Sequence, residues 1–327
     1  MQGTQLNFDT LGIINGKYSQ CSFYNSGLSS TTGIIDEATQ APYYPEFAVN
    51  NTYGIKAVND TVYNYMKFAL YMPNGCLDQI GYCRQTNRTS LADYAICTEA
   101  ENMCRDNVEG PYYQFSGRGV YDIRHPYKDP TPPTYFIDFL NMASTQQALG
   151  VNLNYTQDAN DLIYYSFQQT GDFVYPNFIE DLEMILNNGV RVALTYGDAD
   201  YIVNWFGGQA VSLAVNYTHA AQFRAAGYVP FMVNNQEYGE VRQYGNFSFL
   251  RMYESGHEVP YYQPLAALEL FRRTLLNLEL SDGLAEITAD YSTNGTARAT
   301  HTEPFVALPS STSSSTSIAK ASSTGVC

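Results

Sequence analysis

Apolar residues fall into two kinds of pattern along this chain. Three runs are nearly continuous, at residues 6–14, 190–196 and 247–253. Apolar runs of this length bounded by turn residues predict buried strands. Elsewhere apolar residues recur every three or four positions. Val58, Val62, Met66 and Phe68 or Ala69 predict one helix, and 36–110 as a whole reads as helical and loop-rich. A second helix is expected over 135–148, ending near Gly150. Over 178–186, Ile179, Leu182, Ile185 and Leu186 share a face, Asp181 and Glu183 lie off it, and Gly189 stands where a C-terminal cap belongs. This helix runs straight into the strand at Val190, the α-to-β passage of a parallel sheet. Gly207 and Gly208 predict a tight turn or close approach before a helix beginning near Gln209. Pro264 suits the first turn of a last helix, whose buried stripe is expected to be Leu265, Leu268, Phe271 or Arg272, and Leu275.

Two stretches break these patterns. Residues 17–33 are rich in Ser, Tyr and Gly and have no period, and removing them joins Ile-Ile-Asn-Gly to Ile-Ile-Asp-Glu, a better strand-to-turn passage. Gly-Lys-Tyr can be encoded as GGT-AAG-TAT, which contains a fungal-type donor splice signal. A retained intron translated in frame and a surface-loop insertion both fit, and long structureless loops are uncommon inside compact domains. From about Thr300 a Ser/Thr tract begins, with too little apolar surface to fold, and reads as an O-glycosylated stalk or tail.

The 327 residues, 45% of them hydrophobic, suffice for one large domain or a domain with a big insertion. A net charge of -15 argues against nucleic acid as a partner. No run of eighteen apolar residues exists, so no transmembrane helix is expected. Seven Asn-x-Ser/Thr sequons stand at Asn50, Asn59, Asn87, Asn154, Asn216, Asn246 and Asn294. Four of the six cysteines have palindromic spacing, Cys76-x6-Cys83-x13-Cys97-x6-Cys104. That suits two antiparallel segments stapled twice, Cys76 to Cys104 and Cys83 to Cys97, among the three pairings four cysteines allow. Closing the inner loop of about 15 residues would contribute roughly 3 kcal/mol on the chain-entropy model. The spacing is wrong for zinc and no histidine lies nearby, so neither metal nor cofactor is expected. Sequons and paired cysteines predict a secreted or cell-surface protein, with the vacuole as the alternative. The start, Met1-Gln-Gly-Thr-Gln-Leu, lacks a basic-then-apolar leader, so the expectation is that an amino-terminal part is missing.

Polar residues with chemical potential cluster where two of the apolar runs end. Gly197-Asp-Ala-Asp200 follows the first, and Ser255-Gly-His-Glu258 follows the second. An acid on one strand end and a histidine on a later one is the order Asp…His in which an α/β-hydrolase triad closes. His257 alone among four histidines is placed like a general base: His125 precedes a proline-rich loop, His219 lies in a helical stretch and His301 borders the tail. Asp200 is favoured over Asp198 as its acid, because the second Asp projects beyond the strand end while the first braces the turn.

Gly197-Asp-Ala-Asp-Tyr-Ile-Val-Asn-Trp-Phe-Gly, Ser255-Gly-His-Glu-Val-Pro260, Phe173-Val-Tyr-Pro-Asn-Phe, the 57-residue step from Asp200 to His257 and the double staple resemble the serine carboxypeptidases, most closely their secreted filamentous-fungal branch. The resemblance covers about residues 5 to 280 apart from 17–33. It implies an α/β-hydrolase fold with a mostly parallel sheet, interrupted by a helical cap at about 37–172 that carries the staple, with core segments at 1–36 and 173–299, ahead of the compositional tail at 300–327. It implies removal of C-terminal residues from peptides and proteins through an acyl-enzyme, at acid pH, with Asp200 the triad acid and His257 its base. Glu258 matches a position lining the pocket for the side chain before the scissile bond, where a carboxylate would favour basic side chains. An exposed turn glutamate is the plainer reading.

The chain also departs from the family. The nucleophile element Gly-Glu-Ser-Tyr-Gly-Gly and the Trp-x-Asn-Gly-Gly-Pro-Gly element that builds the oxyanion hole are absent, and Val203 stands where members often carry Cys. Both missing elements lie upstream of the first strand in the family, so the first strands of the sheet are expected to be missing as well. Losing a triad serine costs on the order of a millionfold in rate. The chain by itself is therefore expected to be inactive. The competing expectation is a truncated, non-catalytic secreted glycoprotein that binds peptides or a partner.

Overall fold

The computed structural model describes residues 10–14, 34–127, 135–156, 161–175 and 177–308. The insert at 17–33, Cys21, the prolines at 130–133, the Ser/Thr tract and Cys327 lie outside the described residues.

Among the described residues five strands form one sheet in the order β1-β2-β5-β4-β3: β1 (Thr10–Ile14), β2 (Arg191–Gly197), β3 (Val229–Val233), β4 (Gln236–Tyr244) and β5 (Phe247–Met252). The three apolar runs supply the three parallel neighbours. Ile13 registers with Leu194, and Leu194 with Phe249. Both faces of β2 are buried along its whole length, as parallel centre strands require. The apolar pattern does not predict the β3–β4 hairpin. Its two-residue turn, Asn234-Asn235, has φ of 49° and 62°, a left-handed conformation that asparagine tolerates. The hairpin adds two antiparallel pairings to the two parallel ones, so the described part of the sheet is mixed.

Helices precede and flank the sheet. They are α1 (Glu37–Gln40), α2 (Tyr43–Val49), α3 (Asp60–Tyr71), α4 (Cys76–Arg84), α5 (Leu91–Cys104), α6 (Gly110–Phe115), α7 (Tyr135–Leu140), α8 (Ala143–Leu149), α9 (Asp161–Thr170), α10 (Ile179–Asn187), α11 (Trp205–Ala214), α12 (Ala220–Ala225), α13 (Val259–Tyr262) and α14 (Pro264–Leu275). A π-helical turn, Arg105–Glu109, joins α5 to α6. Local signals set several ends. The Asp36 carboxylate caps α1 through the Ala38 amide, and Ser90 and Asp93 form a reciprocal capping box on α5. Gly189, at φ 79°, stops α10 and turns the chain into β2. The antiparallel α4 and α5 are joined by Cys76–Cys104 and Cys83–Cys97, the expected pairs.

One face of β5 presents Phe247 and Phe249 to Phe223, Tyr217 and Tyr228. Its other face packs Leu250 and Met252 with Val259, Ala266 and Leu270. Here the expected stripe of α14 is wrong: Leu265, Leu268, Phe271 and Leu275 are exposed, while Ala266, Ala267, Leu270, Arg273 and Thr274 are buried. Apolar size alone misleads at this helix. Small residues let it lie close to the sheet, and the Arg273 guanidinium donates to the Leu280 and Met232 carbonyls at 2.7 and 2.6 Å. Two other helices also differ from expectation, and a third settles an alternative. The helix over 135–148 is two, because Met142 is extended between α7 and α8. In α3 it is Ala69, one of the two expected alternatives, that is buried, and Phe68 is exposed. Helix α11 starts at Trp205, capped by Asn204, so Gly207 and Gly208 lie inside it. The close approach itself is there, since a Cβ on Gly208 would stand 2.3 Å from the Tyr196 ring.

Candidate active site

Past its last paired residue, β2 continues to follow β5. The Asp198 amide donates to the Met252 carbonyl and the Ala199 amide to that of Ser255, both at 2.9 Å. The two loops lie so close at Gly197 that a Cβ there would stand 2.3 Å from the Gly256 oxygen. This stitching carries Asp200 and His257 to the same place. His257 Nδ1 stands 3.0 Å from Asp200 Oδ2. Asp200 is fully buried, while the His257 side chain is one-fifth exposed (20%). Burial pushes the Asp200 carboxyl above its ordinary value, against the pull of His257 and of the Val203 and Ile202 amides. A buried acid bonded to Nδ1 fixes the imidazole tautomer and assigns proton exchange to Nε2.

Asp198 has a different surround. It is also buried, and its Oδ1 accepts from the Tyr53 hydroxyl at 2.8 Å and the Ser255 amide at 3.3 Å. Thr52 Oγ1 donates to its carbonyl at 3.2 Å. It joins the acid loop, the histidine loop and the helical side of the molecule.

Residues 118–123, which carry no pattern in the sequence, bond the backbone at His257 and on either side of Asp200. The Tyr121 carbonyl accepts the His257 amide at 2.8 Å, and its ring packs 5.0 Å from the imidazole. The Val120 carbonyl accepts the Tyr201 and Ile202 amides, each at 3.1 Å, and the Ile123 amide donates to the Ala199 carbonyl at 2.9 Å. Behind Asp200, Tyr201 stacks on Tyr112 at 3.7 Å. Burial, then the charges of Glu37 and Glu109, push the Tyr44 phenol well up, and burial and Glu109 do the same for Tyr201, so both stay protonated. Glu109 closes the π-turn, 3.7 Å from Arg105. The turn itself leaves no periodic trace in the sequence.

The other singled-out residues lie elsewhere. Glu258 is exposed directly after His257, at the start of α13. Val203 is buried just before α11. His125 lies 3.6 Å from Asp122, His219 packs on Tyr217 and Tyr244, and His301 stacks on Tyr253. Asn50, Asn59, Asn87, Asn154, Asn216 and Asn294 are exposed, while Asn246 is half-buried and donates to the Gly189 carbonyl at 2.7 Å. Among the described residues no helix is long and apolar enough to cross a membrane.

A profile of the serine carboxypeptidases matches residues 11–277. Carboxypeptidase S1 homolog A of Arthroderma otae is 42% identical over 309 residues, covering 90% of this chain and 44% of that protein. Carboxypeptidase S1 of Penicillium janthinellum is 36% identical over 254 residues, covering 78% of this chain and 58% of its own length. The chain thus spans less than half of the first of these relatives. Among solved structures, a prohormone-processing carboxypeptidase of Saccharomyces cerevisiae superposes with a TM-score of 0.55 at 14% identity, over 75% of this chain and 53% of that one.

Proposed function

Because the chain belongs to the serine carboxypeptidase family, we propose that it supplies the acid and base of a Ser-Asp-His triad whose serine is carried by an upstream part of the natural product. The single observation behind this reading is the 3.0 Å contact between His257 Nδ1 and the buried Asp200 carboxylate at neighbouring parallel strand ends. The serine hydroxyl attacks the last peptide carbonyl of a substrate while His257 Nε2 takes its proton. Nε2 then returns the proton to the departing amine of the C-terminal residue, leaving an acyl-enzyme. Water, deprotonated by the same nitrogen, releases the shortened peptide. Asp200 stabilises the imidazolium at each stage. Glu258, exposed beside the base, would pair with a basic side chain preceding the scissile bond. Sequons on exposed asparagines and two disulfides fit a product that passes through the secretory pathway.

The test is to express the product of the full-length transcript and follow release of C-terminal residues from blocked dipeptides, before and after a serine-reactive fluorophosphonate. Release that the reagent abolishes is expected. A full-length product that binds peptides without cleaving them would favour the non-catalytic reading. Glu258→Gln should lower kcat/KM for Arg or Lys before the scissile bond by roughly tenfold and leave Leu unchanged. Equal effects on both would remove Glu258 from the pocket.

A further inference from the structure

Beyond α14 the chain leaves the stretch matched by the family profile and returns across the molecule without regular structure. Residues 296–306 run from the sheet to the helical side. Thr296 exchanges two backbone hydrogen bonds with Tyr228, at 2.7 and 2.9 Å. The Ala297 carbonyl accepts from Arg242 at 2.9 Å and that of His301 from Arg251 at 2.9 Å. The His301 ring stacks on Tyr253 at 3.6 Å. The segment then changes partners. The Glu303 amide donates to the Thr52 carbonyl at 2.8 Å, and the Val306 carbonyl accepts from Arg118 Nη2 at 3.0 Å.

Arg118 is the junction. Its guanidinium is buried, and its Nη1 donates to the Ile123 carbonyl at 2.8 Å. It therefore closes the ends of residues 118–123 on each other. Within that loop the Val120 and Tyr121 carbonyls hold the backbone amides of Tyr201, Ile202 and His257. One side chain thus joins the returning segment to the loop that bonds the backbone at His257 and on either side of Asp200. A planar fork with five donors suits this task better than a point charge.

We propose that Arg118 is a positioning residue for the Asp200–His257 pair and that residues 296–306 act as an intramolecular strap holding it in that role. The proposal rests on the reading of that pair as acid and base. Sub-ångström placement of a base matters because misplacement by about 1 Å can cost on the order of a hundredfold in rate.

The test uses the full-length natural product and two readouts, the low-field proton resonance of His257 Nδ1–H and the split between kcat and KM. A wild-type protein without the resonance would overturn the acid–base reading itself. With the resonance present, ending the chain after Leu308 should leave both readouts unchanged. Arg118→Met, or ending the chain after Thr300, should broaden or lose the resonance and lower kcat roughly ten- to hundredfold, with KM within about twofold. Arg118→Lys should recover part of both. Folded variants with an unchanged resonance and kcat would overturn the strap. If those variants do not fold, amide hydrogen exchange on the unaltered protein decides. Comparable protection of the Glu303 and His257 amides is expected. Fast exchange at Glu303 beside full protection at His257 would show that the strap opens without consequence for the pair.

Discussion

Between Asp198 and Ser255 the polar groups are buried and take partners from distant parts of the chain, whereas across α7 and α8 large apolar groups stand in water. Asp198, Asp200 and Ser255 have no exposed surface, and Tyr53, Tyr121 and Val120 reach this region from sites far off in sequence. Tyr135, Phe139 and Leu149 are 79%, 56% and 61% exposed, and nothing in α7 or α8 is buried. That arm is fastened by short-range bonds, Asn141 to the Tyr155 backbone and Gln146 to Leu153 and Asn154. Apolar content does not decide which region is rigid. Buried polar groups are costly unless paired, so the strand ends hold one geometry, while the arm has little to lose by opening.

Gly197→Ala should break the contrast most strongly. Its new Cβ would stand 2.3 and 2.4 Å from the Gly256 and Ser255 oxygens, both backbone atoms, so the acid and histidine loops must part. A cost of about 1–3 kcal/mol in urea unfolding is expected, with loss of activity in the full-length product. A smaller, pH-dependent effect belongs to Asp198. Burial pushes its carboxyl up to about 7, against the pull of Arg251 and of the Tyr53 hydroxyl. The folded chain holds a proton that an unfolded aspartate releases near pH ~4, so this group's contribution to stability is present below about pH 4 and lost as pH rises through about 7. Asp198→Asn keeps an acceptor for Tyr53 and Ser255 and has no proton to lose. Thermal unfolding should therefore shift in favour of the variant, relative to wild type, from pH 4 to pH 8; a constant difference would mean that Asp198 is already ionised at acid pH. At the other extreme, Leu149→Ser in the arm should change unfolding free energy by no more than about 0.5 kcal/mol.

The strand runs, α10 with its glycine cap, the cysteine staple and the residues now found together at the strand ends were readable because each has a local cause: a continuous apolar run, a 3.6-residue period, a palindromic spacing or a polar residue just past a strand. The stripe of α14 was misread because packing against a sheet rewards small residues as well as large ones. The β3–β4 hairpin was missed although Asn234-Asn235 is a local turn signal between residues of β propensity. Tyr53, Tyr121 and Arg118 carried no local signal at all. Their bonds cross between the helical side and the sheet, and only the folded chain brings them to the pair.

The measurement that tests the central assignment most directly compares Asp200→Asn with Asp198→Asn in the full-length product, at one pH and with fold checked by circular dichroism. The account predicts that Asp200→Asn lowers kcat by about 10⁴, since the imidazole loses its tautomer and its counter-charge. Asp198→Asn should stay within about tenfold of wild type. A kcat for Asp198→Asn as low as that of Asp200→Asn, or lower, would contradict the assignment of Asp200 as the acid that orients His257.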